Sequence, residues 1–186
     1  MQTAEMKEAR VKLLMDGYPR KGFSIFSSYL GKERGVCITR LHPEYVREKY
    51  GLEGSRFHWL SGVKQEGTLS PKNISALVKQ VRGELKGGRC KFFLDGVEYL
   101  LLWNDMDSIV ASLREIEREL ERVEGCMIVS IDPLTFEERD LTLLKGAFPE
   151  MPVLSAGSPH TDAAEPADKD RIDAGLLVSR GSLATP

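Results

Sequence analysis

The chain is short of the residue types that mark the commonest specialised chemistries. Its only cysteines, Cys37, Cys90 and Cys126, are widely spaced and each sits in an apolar, strand-like run, so neither a disulfide framework nor a Cys-x-x-Cys metal knuckle is available. They read as buried, reduced thiols. The histidines His42, His58 and His160 are scattered and have no cysteine cluster beside them, which excludes a zinc-type ligand set and leaves no metal expected. No apolar stretch approaches the roughly 20 residues of a membrane span, and residues 1–8 lack the apolar core of a secretory signal. A charge excess is missing as well. Residues 1–150 hold 23 basic and 23 acidic side chains and residues 151–186 hold 3 and 5, so the folded part has neither a nucleic-acid footprint nor a polybasic membrane patch. The expected location is cytoplasmic.

What is present is an alternation of strand-like and helix-like segments. Val11–Met15 reads as a first strand ending at Asp16-Gly17, followed by a helix from about Lys21 to Leu30. Gly35–Thr39 is a second strand, leading through Arg40-Leu41-His42 into a helix opened by Pro43 and closed near Gly51. Phe57–Ser61 is a third. A helix N-capped at Ser70-Pro71 then carries Ile74, Leu77, Val78, Val81 and Leu85 down one side. The stretch Cys90–Leu100 is an apolar run that stops on Asp95-Gly96 and turns at once into a helical pattern, the signature of a buried parallel strand with a carboxylate at its C-terminal lip. A long helix from Asp107 to Val123 shows Ile109, Leu113, Ile116, Leu120 and Val123 at spacings of four and three. Cys126–Asp132 is a fifth strand, and Thr135 with Glu138 reads as a capping box for the last helix.

Five strands alternating with helices require a three-layer α/β sandwich on a mostly parallel, about five-stranded sheet. The expected organisation is an N-terminal extension over residues 1–10, an α/β domain over 11–150, and a disordered, Pro-punctuated tail over 151–186 whose only apolar patch is Leu176-Leu177-Val178. Ligands of such sheets bind at the C-terminal edge. That edge should gather Asp16, Gly17, Arg40, His42, Asp95, Glu98 and Asp132 as a ligand or partner surface.

Tested for chemistry, the edge is incomplete. Gly17-Tyr18-Pro19-Arg20-Lys21-Gly22-Phe23-Ser24 matches the phosphate-loop pattern G-x-x-x-x-G-K-[ST] except that Phe23 stands in the lysine's place, and Pro19 removes a cradling N–H. Asp95 could be the metal-side aspartate of a nucleotide site or a strand-end turn residue; Glu98 reads as a cap or ion-pair partner. His42 has no nucleophile motif beside it, so no catalytic residue is expected.

The blocks Gly35–Arg40 with Pro43, Tyr50-Gly51-Leu52, Trp59-Leu60-Ser61, Leu69–Ile74, Leu94–Leu100 with Asn104, and Asp132-Pro133 resemble the archaeal domain-of-unknown-function family 835 over about residues 11–148. That family in turn resembles RecA/KaiC-type ATPase domains, in which a pair of catalytic glutamates closes the second strand; here that place reads Thr39-Arg40. The resemblance implies a P-loop-like fold with a degenerate nucleotide site and a role in archaeal signal transduction, with a protein partner such as a sensor kinase or a second copy. Concerted change of the loop, the glutamates and the Walker-B neighbour is what a non-catalytic sensory or interaction domain would display. Two other readings remain: a nucleotide-binding or weak ATPase module in which Lys21 or Arg40 replaces the lysine, and an assembly subunit that pairs through the Asp107–Val123 helix.

Overall fold

A computed structural model describes residues 9–152. The expectations for residues 1–8 and for the tail from residue 153, including Leu176-Leu177-Val178, lie outside the described residues. Within them the order is β1 (Val11–Met15), α1 (Gly22–Leu30), β2 (Gly35–Thr39), α2 (Pro43–Tyr50), β3 (Arg56–Leu60), β4 (Thr68–Leu69), α3 (Ile74–Leu85), β5 (Lys91–Asp95), α4 (Val97–Leu100), α5 (Met106–Arg122), β6 (Cys126–Ile131), a 3-10 turn (Pro133–Thr135) and α6 (Glu138–Ala147).

The sheet is open and all-parallel, with six strands in the order β1-β6-β5-β2-β3-β4. The count corrects the expected five. The additional strand, β4, pairs only Trp59 with Thr68 and Leu60 with Leu69, and two residues are too few to carry a period-2 signal. On the opposite flank, the Leu13 N–H donates to the Pro149 carbonyl at 2.9 Å and the Met151 N–H to the Leu13 carbonyl at 2.6 Å, so the chain after α6 runs beside β1.

Because β1 to β3 step one way across the sheet and β4 to β6 step back, right-handed crossovers put the helices on opposite faces. One face is covered by α1 and α2, whose Phe23, Phe26, Leu30 and Val46 pack with Leu14, Cys37, Phe57, Phe93 and Ile128. The other is covered by α3, α5 and α6 over Val36, Ile38, Phe92, Leu94 and Val129. Apolar residues therefore face both layers along β2 and β5, which is why those strands read as continuous apolar runs. The α5 stripe Met106, Ile109, Leu113, Ile116 and Leu120 is buried and contributes to this second core, and α5 packs against α3 and α6. The spacing that would have served an assembly seam is consumed inside the fold.

Two helix starts differ from expectation. The N-cap of α3 is Asn73, whose Oδ1 accepts from the Ser75 N–H at 3.1 Å, because Pro71 is buried in the approach loop. The box at Thr135 and Glu138 does not form. Thr135 instead lies in the 3-10 turn and donates to the Asp132 carbonyl at 2.8 Å, and α6 starts after Glu137. Among the described residues, no helix is long and apolar enough to cross a membrane.

Candidate functional site

The parallel register brings one polar side chain from each of four neighbouring strand ends into a row. Thr39 on β2 is level with Asp95 on β5, and Asp95 with Ser130 on β6, while Asp16 follows the end of β1. Asp95, Thr39 and Ser130 are inaccessible to solvent and Asp16 nearly so. Buried polar groups of this kind must be satisfied within the protein or by a ligand.

The protein satisfies them itself. Arg20, in the loop between β1 and α1, lies across the row: its Nη2 donates to Asp95 Oδ1 at 2.5 Å and to Ser130 Oγ at 3.0 Å, and its Nε is 3.5 Å from Asp16 Oδ2. Thr39 donates to the second Asp95 oxygen at 3.0 Å. Asp16 takes the remaining donors. Its Oδ1 accepts from the Lys21 N–H at 2.7 Å, and its Oδ2 from the Gly22 N–H at 3.0 Å and the Ser130 hydroxyl at 3.1 Å. The first backbone donors of α1, where a phosphate would sit on a working loop, are thus occupied by a carboxylate of the same chain. This also explains Gly22. A Cβ there would lie 2.5 Å from Asp16 Oδ2 and 2.9 Å from Phe93 Cζ, so the glycine is required by close packing on Asp16.

The charges agree with this geometry. Burial lowers the pKa of the Arg20 guanidinium, but Asp95, with Asp16 and Glu98, outweighs burial and holds it above its ordinary value. Behind the row, burial with a contribution from Asp95 pushes the Cys37 thiol up to about 12, so it is neutral and unreactive at pH 7. Phe23, in the place of the missing lysine, is buried between Tyr50 and Phe93 at centroid distances of 5.1 and 4.9 Å, in the apolar layer under α1. Tyr18 is 93% exposed and does not plug it. The plug is Arg20.

The other expected edge residues lie outside the row. Arg40 Nε pairs with Glu98 Oε1 at 2.8 Å on a half-exposed rim, where the Trp59 indole N–H donates to the Arg40 carbonyl at 3.1 Å. Gly96, at φ +116, starts α4 and has the Arg40 Cβ 3.3 Å from its own Cβ position. His42 is the exposed residue preceding α2 and sits edge-on to Trp59. Asp132 caps the 3-10 turn through the Leu134 N–H at 3.1 Å, and Gly17 has open space around it. Sequence reasoning placed Asp16 and Asp95 and missed Arg20 and Ser130 as their partners. The available signal was that a buried strand-end carboxylate needs a cation, and Arg20 stands in the loop predicted to reach the same edge.

A family model for DUF835, described as a protein of unknown function, matches residues 19–148. No curated protein matches the chain. The matched segment contains Arg20, Thr39, Asp95 and Ser130, and Asp16 precedes it by three residues. With about seventy per cent of its length covered, the chain belongs to the DUF835 family.

Proposed function

We propose that this chain is a non-catalytic, cytoplasmic protein-interaction domain, built on a RecA-like α/β core whose nucleotide station has been closed by its own side chains. The observation that carries this reading is the occupancy of the row. Asp16 accepts from the N–H groups that would cradle a phosphate, and Arg20 neutralises the carboxylate that would hold a metal. Phosphoryl transfer needs those groups free to position the nucleotide and its magnesium.

Interaction with a protein is favoured by what surrounds the closed row. Tyr18 after β1, Leu134 after β6, Leu102 and Trp103 after β5, and Val63 after β3 are all exposed large apolar residues in connections that leave the C-terminal ends of strands, with Leu134 90% exposed. Exposed apolar residues gathered at one end of a sheet mark association surfaces. The free thiols of Cys37, Cys90 and Cys126 fit a reducing compartment. The setting in archaeal signal transduction, with a sensor kinase or a second copy as partner, rests on the family resemblance.

The test is a melting curve with millimolar Mg-ATP. A ligand that binds the native state raises the midpoint. No change is expected, and a rise of several degrees that survives Lys64→Gln/Lys72→Gln, substitutions away from the row, would overturn the closed-site reading. Photo-crosslinkers at Tyr18 and Leu134 should trap the partner in cells while one at Tyr29, at the other end of α1, should not. Equal trapping at all three positions would remove the edge from the interface.

A further inference from the structure

At the far end of the same edge, the β3–β4 loop and the approach to α3 border an open pocket of about 390 Å³ lined by Ser61, Val63, Lys64, Thr68, Ser70 and Lys72, with Gly62 and Gln65 completing its wall. Among the described residues no carboxylate lines it. Its frame is fixed by backbone pairing: Trp59 N–H to the Gly67 carbonyl at 2.9 Å, Ser61 N–H to the Leu69 carbonyl at 3.1 Å, and Thr68 N–H to the Gln65 carbonyl at 3.2 Å.

The hydrogen-bonding valences of the lining groups are unequally used. Thr68 is spent locally, since its Oγ1 donates to the Gln65 carbonyl at 2.7 Å and accepts from the Gln65 N–H at 3.1 Å. Ser61, 8% exposed, is used as an acceptor by the Val63 N–H at 3.1 Å, and Ser70 as an acceptor by the Lys72 N–H at 3.4 Å. A hydroxyl that accepts still has its own proton to give. Among the described residues neither Lys64 nor Lys72 is paired with a carboxylate, and the Lys72 ammonium stands 5.9 Å from the Trp103 ring. The unspent side-chain donors are therefore the Ser61 and Ser70 hydroxyls, the Gln65 amide and the Lys64 and Lys72 ammonium groups, while the acceptors that remain, the hydroxyl oxygens and the Gln65 carbonyl, are neutral.

We infer that this cavity binds a small phosphomonoester. A site whose free groups donate and carry two positive charges selects an acceptor of matching charge, and a phosphomonoester brings a charge of about −1.5 to −2 at pH 7 with three acceptor oxygens. Since a water takes about 30 Å³ of liquid volume, the cavity has space for the organic part of a small ester as well as its phosphate. Val63 supplies an apolar wall for that part. The site shares no residue with the Asp16–Arg20–Asp95 row, so its assignment does not depend on the closure of that row.

Isothermal titration of the full chain with glycerol phosphate and with inorganic phosphate, at ionic strength held constant with potassium chloride, tests it. Saturable binding of the ester is expected, weakened at least tenfold in Lys64→Gln/Lys72→Gln and several-fold in Ser70→Ala, with melting temperatures unchanged because all three positions are exposed. No saturable heat with the ester, or unchanged affinity in the double variant, would overturn the inference. Equal affinity for inorganic phosphate and ester would overturn the ester assignment in favour of the free anion. If Mg-ATP raises the melting temperature of the wild type, loss of that rise in the lysine variant would put the nucleotide's phosphates in this cavity and leave the closed-row reading standing. A rise that survives would overturn that reading alone.

Discussion

The C-terminal edge of the sheet is closed over β1, β6, β5 and β2 and open beside β3 and β4. Both halves are rich in polar side chains, yet their valences are used differently. In the closed half, each carboxylate has an internal partner: Asp95 meets Arg20 and Thr39, and Asp16 meets two backbone N–H groups and Ser130. In the open half, Lys64, Lys72, Ser61 and Ser70 retain donors that no lining carboxylate takes up. A cluster of polar residues at a strand edge is thus not in itself a binding site. What matters is which donors and acceptors are left over.

Four measurements would break or sharpen this contrast. The largest effect is expected for Arg20→Ala, which strands the inaccessible Asp95 carboxylate without its cation. Removing one partner of a buried pair costs about 3–5 kcal/mol, and denaturant unfolding should show a loss of that order. A loss under about 1 kcal/mol would mean the row is solvated and the closed half is not closed.

The second test uses Cys37 as a buried probe behind the row. Its folded pKa of about 12 lies above its ordinary value of 9.0, so the folded state holds the thiol proton more tightly. That contribution is fully present below pH 9 and is lost as pH rises toward 12, at about 1.4 kcal/mol per pH unit. Wild-type stability should therefore fall more steeply across this window than that of Cys37→Ala. Parallel curves would show a thiol that ionises freely and a layer open to water.

Third, Asp95→Asn keeps the shape and removes the charge. Because Arg20 is partly exposed and can turn toward solvent, the loss should be smaller, about 1–3 kcal/mol. If it equals the Arg20→Ala loss, the row is held by charge and not by hydrogen-bond geometry. The smallest effect belongs to the open half. Lys64→Gln/Lys72→Gln should change stability by no more than about 0.5 kcal/mol, as exposed positions without a carboxylate partner do, and a larger loss would show that those lysines are spent inside the fold.

Much of the architecture was legible because it is written in short-range patterns. The apolar runs at Gly35–Thr39 and Lys91–Asp95, the stripe from Ile109 to Leu120 and the Pro43 helix start each depend on residues within a dozen positions of one another. Where a local signal was weak or ambiguous, the reading failed. The two residues of β4 carry no period, and both Ser70 and Thr135 sat near a helix start without becoming its cap. Four of the expected edge residues, Arg40, His42, Glu98 and Asp132, lie at strand exits as read, but their side chains serve the rim or a turn and not the row.

The sequence by itself determined the α/β class, the parallel sheet, the placing of Asp16 and Asp95 at strand ends, and the resemblance to the DUF835 family. Only the tertiary structure decided what those carboxylates are for. Arg20 meets Asp95 across 75 positions and Ser130 meets Asp16 across 114, and these meetings depend on β6 and β5 standing between β1 and β2. Strand order is set by the packing of all layers together. No local pattern encodes it, and with it came the filling of the strand-end row by the chain's own side chains.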